Sequence, residues 1–148
     1  MASLAIPAAF GWPLITATLI SAQVVYTGFR YAGGARSQFK VPYPDMTGRN
    51  LNENDWKAFN NAQRAHYNYV EGAASVIALN IISGLFFPHA SAAAAGVYII
   101  GRELYARGYT KNGPTGRSVG AGLLDTALVV MFGLSLVGAG GLIYRARQ

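Results

Sequence analysis

Apolar residues along this chain gather into four long blocks, and the polar residues fall between them in an uneven way. The first block runs from about Leu4 to Phe29 and the second from about Tyr67 to Phe87. The third covers Ser91 to about Ala106, and the fourth about Val119 to Tyr144. A helix needs roughly 20 mostly apolar residues to cross a bilayer. The pattern therefore predicts an all-α integral membrane four-helix bundle, a single domain over residues 1–148. The first block lacks a basic leader and a clear cleavage site, so it reads as a retained span. Pro7 and Pro13 lie near its start, where a helix tolerates proline best. Pro88 closes the second block, with His89 in a very short turn. The Ala and Gly content of the third and fourth blocks permits close helix approach. One long polar loop, Arg30 to Gln63, separates the first two spans, with turn signals at Gly33-Gly34 and Val41-Pro42-Tyr43-Pro44.

Composition supports the membrane assignment. Of 148 residues, 52% are hydrophobic and only 12% charged, against about a quarter charged in a soluble domain. The net charge of +6 raises the question of nucleic acid. The basic residues flank apolar blocks instead of forming a polar segment, so no nucleic-acid partner is expected. Their distribution reports topology and attraction to anionic membrane lipid. Arg30, Arg36, Lys40, Arg49, Lys57 and Arg64 belong to the first loop and its edges, and Arg102, Arg107, Lys111 and Arg117 to the third. The second loop has none. The positive-inside rule then places loops one and three in the cytosol. The chain has no cysteine, so any thiol must arrive with a substrate.

The chemistry enters the spans from the basic side. Arg64, Asn68 and Glu71 are spaced i, i+4, i+7 and share one helical face; Arg102, Tyr105 and Tyr109, at i, i+3, i+7, share another. Charge near hydrocarbon is costly unless it is paired or faces a polar cavity. Two such faces on one membrane side point to a shared pocket between helices. Competing readings exist: Arg64 and Arg102 near helix ends can snorkel to headgroups, and Tyr105 and Tyr109 can be interfacial aromatics. Glu71 lies deeper and needs a partner. Asp125 also lies inside a span, where pairing with an arginine is the plain explanation. His66 falls on a different face from Arg64. No metal site is expected, because no second His or carboxylate stands at ligand spacing. Arginines, a carboxylate, an amide and phenols together suit a small anionic ligand bearing an amine. The halves of the spans away from the basic side look largely apolar.

The stretch Phe59-Asn60-Asn61-Ala62-Gln63-Arg64-Ala65-His66-Tyr67-Asn68-Tyr69-Val70-Glu71 resembles an FNxxQRAHxNxxE signature. The stretch Gly101 to Tyr109, followed by Gly113-Pro114 and Arg117-Ser118, resembles a GRxLYxxGY…GxP…RS signature. Both belong to the MAPEG family (membrane-associated proteins in eicosanoid and glutathione metabolism). The likeness is greatest to the type-3 microsomal glutathione S-transferases and covers essentially the whole chain. It implies a homotrimer with glutathione, as co-substrate, bound between neighbouring subunits. Carried over, it implies that Arg36, Arg64, His66, Asn68, Glu71, Arg102, Tyr105 and Tyr109 contact glutathione and that Arg117 activates the thiol. Gly72 stands where the leukotriene-forming branch has tyrosine, and Ser37 where it has a second arginine. Both departures favour the type-3 branch.

The resemblance implies conjugation of glutathione to a lipophilic electrophile and reduction of a lipid hydroperoxide. It implies an endoplasmic reticulum membrane, with a mitochondrial membrane as the alternative. A non-catalytic role, as a lipid-presenting protein or accessory subunit of a larger membrane complex, is the competing function. A small channel or transporter has little support in the sequence.

Overall fold

The first helix does not stop where its apolar block stops. The computed structural model describes residues 7–148, so the start of that block at Leu4 lies outside the described residues. A short turn at Ala8–Phe10 leads into helix α1, Gly11–Thr27, which passes through a π-helical segment, Gly28–Gly33, into α2, Gly34–Phe39. Lys40, in the left-handed conformation at φ 53°, ends the run. Helix α3 spans Glu53–Phe86, α4 spans Pro88–Asn112, and α5 spans Ser118–Arg145.

The expected loop from Arg30 to Gln63 is therefore mostly helix, and only residues 40–52 are not. Polarity there does not mark absence of helix. Asn52 starts α3: its side-chain oxygen accepts from the backbone N–H of Asn54 and Asp55 at 3.1 and 3.0 Å. Glu53 and Asp55 in the first turn suit the positive end of the helix dipole. Pro88 opens α4 instead of closing α3, and Phe87 alone separates the two helices, so His89 is helical. A one-residue connection forces α3 and α4 to lie antiparallel and adjacent.

Three helical stretches are long and apolar enough to cross a membrane: Ala8–Phe39, Glu53–Phe86 and Ser118–Arg145. Helix α4, expected as the third span, is not among them. Pro88 and His89 at its start and Arg102, Glu103, Arg107 and Lys111 towards its end lower its mean hydropathy. Its position explains how it tolerates this: α4 packs against α1, α3 and α5, so few of its side chains need be lipid-soluble. The outer helices instead expose Leu14, Ile15, Leu19, Val129, Phe132, Leu136 and Val137, a surface suited to lipid.

Helices α4 and α5 meet backbone to backbone. A Cβ on Gly120 would fall within the main chain at Tyr105, and one on Gly101 would lie 2.9 Å from the Leu124 nitrogen. Such close approach is the packing mode that small residues make available in membranes.

The ends away from the basic loops are less apolar than expected. Asn80 on α3 donates to the Pro13 carbonyl at 2.9 Å and to Thr16 Oγ1 at 3.0 Å. Ser91 on α4 donates to the Asn80 side chain at 2.9 Å, and Ser83 to Ser91 at 2.7 Å. Asn80, Ser83 and Ser91 are wholly buried. The knot ties α1, α3 and α4 where water cannot compete for the bonds.

The 40–52 connection is itself ordered. Asp45 accepts from the backbone N–H groups of Thr47, Gly48 and Arg49 at 2.8, 3.1 and 3.2 Å. The Thr47 N–H bond is the main cause of its carboxyl being pulled down to about 2.

Two outcomes follow. Gly120→Leu must part α4 from α5; overpacking of this kind costs roughly 1–3 kcal/mol and should lower the melting temperature in detergent, while Gly122→Leu, facing open space, should not. For the loop, the folded-state pKa of Asp45 lies below its unfolded value, so its stabilisation is full above about pH 4 and disappears as pH falls through about 2. Amide exchange at Thr47–Arg49 should accelerate across that window, and Asp45→Asn should accelerate it at neutral pH.

Candidate functional site

Arg102 sits at the centre of the basic end with only 4% of its surface exposed and, among the described residues, no ion pair. Helix α4 supplies it one turn after Tyr98, whose hydroxyl accepts from Nε at 2.8 Å. Asn68 on α3 accepts from Nη1 at 2.6 Å. The guanidinium also lies 4.8, 5.2 and 5.5 Å from the ring centres of Tyr69, Tyr98 and Tyr105. Aromatic faces stabilise a desolvated cation by about 2 kcal/mol, so phenol rings replace the missing counter-ion. Gly72 makes the room, since a Cβ there would stand 3.2 Å from Arg102 Nη2. Tyr69 is fixed in turn by donating to Gln23 on α1 at 2.8 Å.

Arg117 occupies the N-cap of α5 and donates to the Tyr105 hydroxyl at 3.2 Å. That bond is the main cause of its pKa being held above the ordinary guanidinium value. Its guanidinium is 5.9 Å from the ring centres of both Tyr105 and Tyr109, which are 5.7 Å apart. On α3, Arg64 pairs with Glu71 at 2.8 Å, so Glu71 has the partner it was expected to need. Both side chains are about half exposed, and such a pair contributes no more than about 1 kcal/mol.

Five of the nine candidate residues, Asn68, Glu71, Arg102, Tyr105 and Arg117, line one cavity of about 400 Å³ between α3, α4 and α5. The rest of its wall includes Gly72, Asp125 and the apolar Ala121, Leu124 and Leu128. Arg64 and Tyr109 line an adjoining recess with Trp56, Lys57 and Asn60. They join the first group through Glu71 and Arg117.

Arg36 and His66 stand apart. They line a third cavity, of about 470 Å³, walled by Val24, Val25, Phe29 and Val70. Arg36 is buried, donates to the Met46 sulfur at 3.0 Å and lies 4.2 Å from the Tyr43 ring centre. Within one chain it fastens the 40–52 connection to α2. His66 contacts Thr27 Oγ1 through Nδ1 at 3.3 Å and packs against Gly28.

Three participants escaped the sequence reading. Tyr98 was detectable, being one turn before Arg102 on the same face. Gly72 was read only as a missing contact, and nothing in the sequence shows that it accommodates a guanidinium. Gln63, 3% exposed and with its Nε2 unpaired, lines both the recess and the third cavity.

A model of the MAPEG family matches residues 13–137, from α1 well into α5. The chain belongs to the MAPEG family, which includes glutathione transferases and related enzymes as well as non-catalytic members. With three helices suited to crossing, it is an integral membrane protein.

The Arg102 network makes a test of its own. Arg102→Met keeps length but leaves Asn68 and Tyr98 without their donor; unsatisfied buried groups cost roughly 1–3 kcal/mol each. Arg64→Met breaks only a half-exposed pair. Thermal melts in detergent should show a large loss for the first and a small one for the second.

Proposed function

We propose that this protein is a glutathione transferase and lipid-hydroperoxide peroxidase of the type-3 microsomal branch. The observation that carries the reading is the cavity in which Arg117, Tyr105, Arg102 and Asn68 face an apolar wall on α5. Arginines suit the carboxylates of the tripeptide, and Asn68 and Tyr105 supply directional hydrogen bonds. The α5 wall suits a lipophilic partner arriving from the membrane. In this reading α4 also crosses, because its neighbours on three sides do.

Arg117 is the residue assigned to the thiol. A free thiol has a pKa of about 8.5, leaving only a few per cent as thiolate at neutral pH. A guanidinium within hydrogen-bonding reach favours the anion. The N-terminus of α5, where Arg117 stands, adds partial positive charge in the same place. The thiolate sulfur then bonds to an electrophilic carbon, giving a conjugate. Alternatively it attacks a hydroperoxide oxygen; the O–O bond breaks and the alkoxide takes a proton. A second glutathione then converts the sulfenic acid to the disulfide and water.

The separation of Arg36 and His66 from the other candidates supports a trimer. One chain presents two half-sites on different faces, and a neighbouring copy would bring the Arg36–His66 half to the Arg117 half. Loops one and three face the cytosol in this reading, from the endoplasmic reticulum membrane.

The test uses purified protein in detergent, with glutathione-dependent reduction of a fatty-acid hydroperoxide and conjugation of a model electrophile. Arg117→Ala should lower kcat by roughly 100-fold, as expected for loss of one charge-stabilising donor. Its rate should continue rising with pH up to about 8.5, where the free thiol titrates, while the wild type levels off earlier. No turnover in the wild type, together with stoichiometric foreign partners in a mild-detergent pull-down, would favour the accessory-subunit reading instead. Cross-linking in native membranes should trap a trimer.

A further inference from the structure

Asp125 is the cavity residue that the proposed chemistry leaves unused. Helix α5 presents Arg117, Ala121, Leu124, Asp125 and Leu128 to the cavity. These stand at i, i+4, i+7, i+8 and i+11, one continuous helical stripe. Beyond Arg117 the stripe is hydrocarbon except at Asp125, which lies roughly 12 Å further along the axis at 1.5 Å per residue.

Asp125 is exposed in the single chain. Glu71, the other carboxylate of the cavity, is paired with Arg64 at 2.8 Å. Among the described residues Asp125 has no ion pair. Glu71, Arg102, Tyr105 and Arg117 share its cavity, and Arg117 and Tyr98 are near enough to feel its charge, yet among the described residues the side-chain bonds of these groups run to one another or to Arg64 and Asn68, not to Asp125. An ionisable group in a spanning segment is costly to keep, and its usual justification is a ligand or a pathway. A purely hydrocarbon co-substrate would leave this carboxylate desolvated and unbonded, which weakens binding.

We propose that Asp125 is a specificity-determining residue for the lipophilic co-substrate. It accepts a hydrogen bond from a hydroxyl or ammonium group carried along an otherwise apolar chain whose reactive atom lies near Arg117. The proposal rests on the transferase reading, and it adds the substrate class: electrophiles with a donor remote from the reactive carbon. Asp125 forms no covalent bond. For an enal, the thiolate sulfur bonds to the β-carbon and the π electrons move to the oxygen as an enolate. A proton from solvent completes the adduct.

The test compares a nine-carbon 2-alkenal with its ω-hydroxy analogue. Wild-type protein should favour the ω-hydroxy compound by roughly tenfold in kcat/KM, the size expected of one hydrogen bond to a charged group. Asp125→Leu should abolish or reverse that preference while leaving KM for glutathione unchanged. A second measurement needs no turnover: calorimetric binding of nonanol, nonanediol and aminononanol to the protein in detergent. Both bifunctional alcohols should bind more tightly than nonanol to the wild type. Asp125→Asn should retain the gain for the diol and lose the additional gain for the amine. If wild type and Asp125→Leu show the same preferences in binding, the proposal is overturned. It is equally overturned if Asp125→Leu breaks up the oligomer without altering preference, since Asp125 would then be an intersubunit contact. Intact binding preference with no conjugation of either alkenal would count against the transferase reading alone.

Discussion

The backbone contact between α4 and α5 is the constraint on which the site depends. Tyr105 and Arg117 belong to different helices, and their 3.2 Å bond exists only because no side chain intervenes nearby. Gly101 and Gly120 remove that obstruction in the adjacent turns. Lipid offers little hydrophobic drive for helix association, so close van der Waals approach has to supply it. The same glycines thus account for the stability of the pair and for the position of its arginine. The turn at Gly113–Thr115 then delivers Arg117 to the N-cap of α5.

Polar groups then divide by depth. At the basic end, Arg102 keeps a full charge by borrowing phenol faces and one amide. At the other end, Asn80, Ser83, Ser91 and Thr16 form a neutral knot that binds only to the protein. The difference is functional in character. A neutral, internally saturated cluster fixes helices and leaves nothing for a ligand to bind, whereas a cation held by neutral partners retains most of its field. An anion entering the cavity would therefore meet an Arg102 guanidinium that is in no ion pair among the described residues.

Much of this was legible in the sequence, and the gaps have physical causes. Helix α5 was located to within a residue of its observed start and end, because an uninterrupted apolar run is the strongest signal a membrane sequence carries. The second apolar block begins at about Tyr67, whereas the helix that carries it, α3, begins at Glu53. Its first turns are polar, so hydropathy does not mark them; the Asn52 cap with Glu53 and Asp55 was the usable cue. Face spacing and a common membrane side pointed to one pocket for Arg64, Asn68, Glu71, Arg102, Tyr105 and Tyr109; Asn68, Glu71, Arg102 and Tyr105 line one cavity, and Arg64 and Tyr109 an adjoining recess. The distance of Arg36 and His66 from that cavity did not follow from spacing, since periodicity orders residues around one helix and says nothing of which neighbour each face meets. The knot at Asn80 was missed because one amide and a few hydroxyls scarcely alter an apolar average.

That separation of half-sites bears on how activity and assembly would be linked. In the proposed trimer each ligand is held by Arg117 and its companions from one copy and by Arg36 and His66 from the next. Arg36 is also the residue that ties the 40–52 connection to α2 through Met46 and Tyr43. A ligand contacting Arg36 would then draw on a side chain already ordered by its own loop, which lowers the entropy to be lost on binding. The price of this economy is dependence: disorder in the Asp45 turn would loosen Arg36, and through it the neighbouring copy's site. The 40–52 connection is, on this reading, the scaffold of half a binding site.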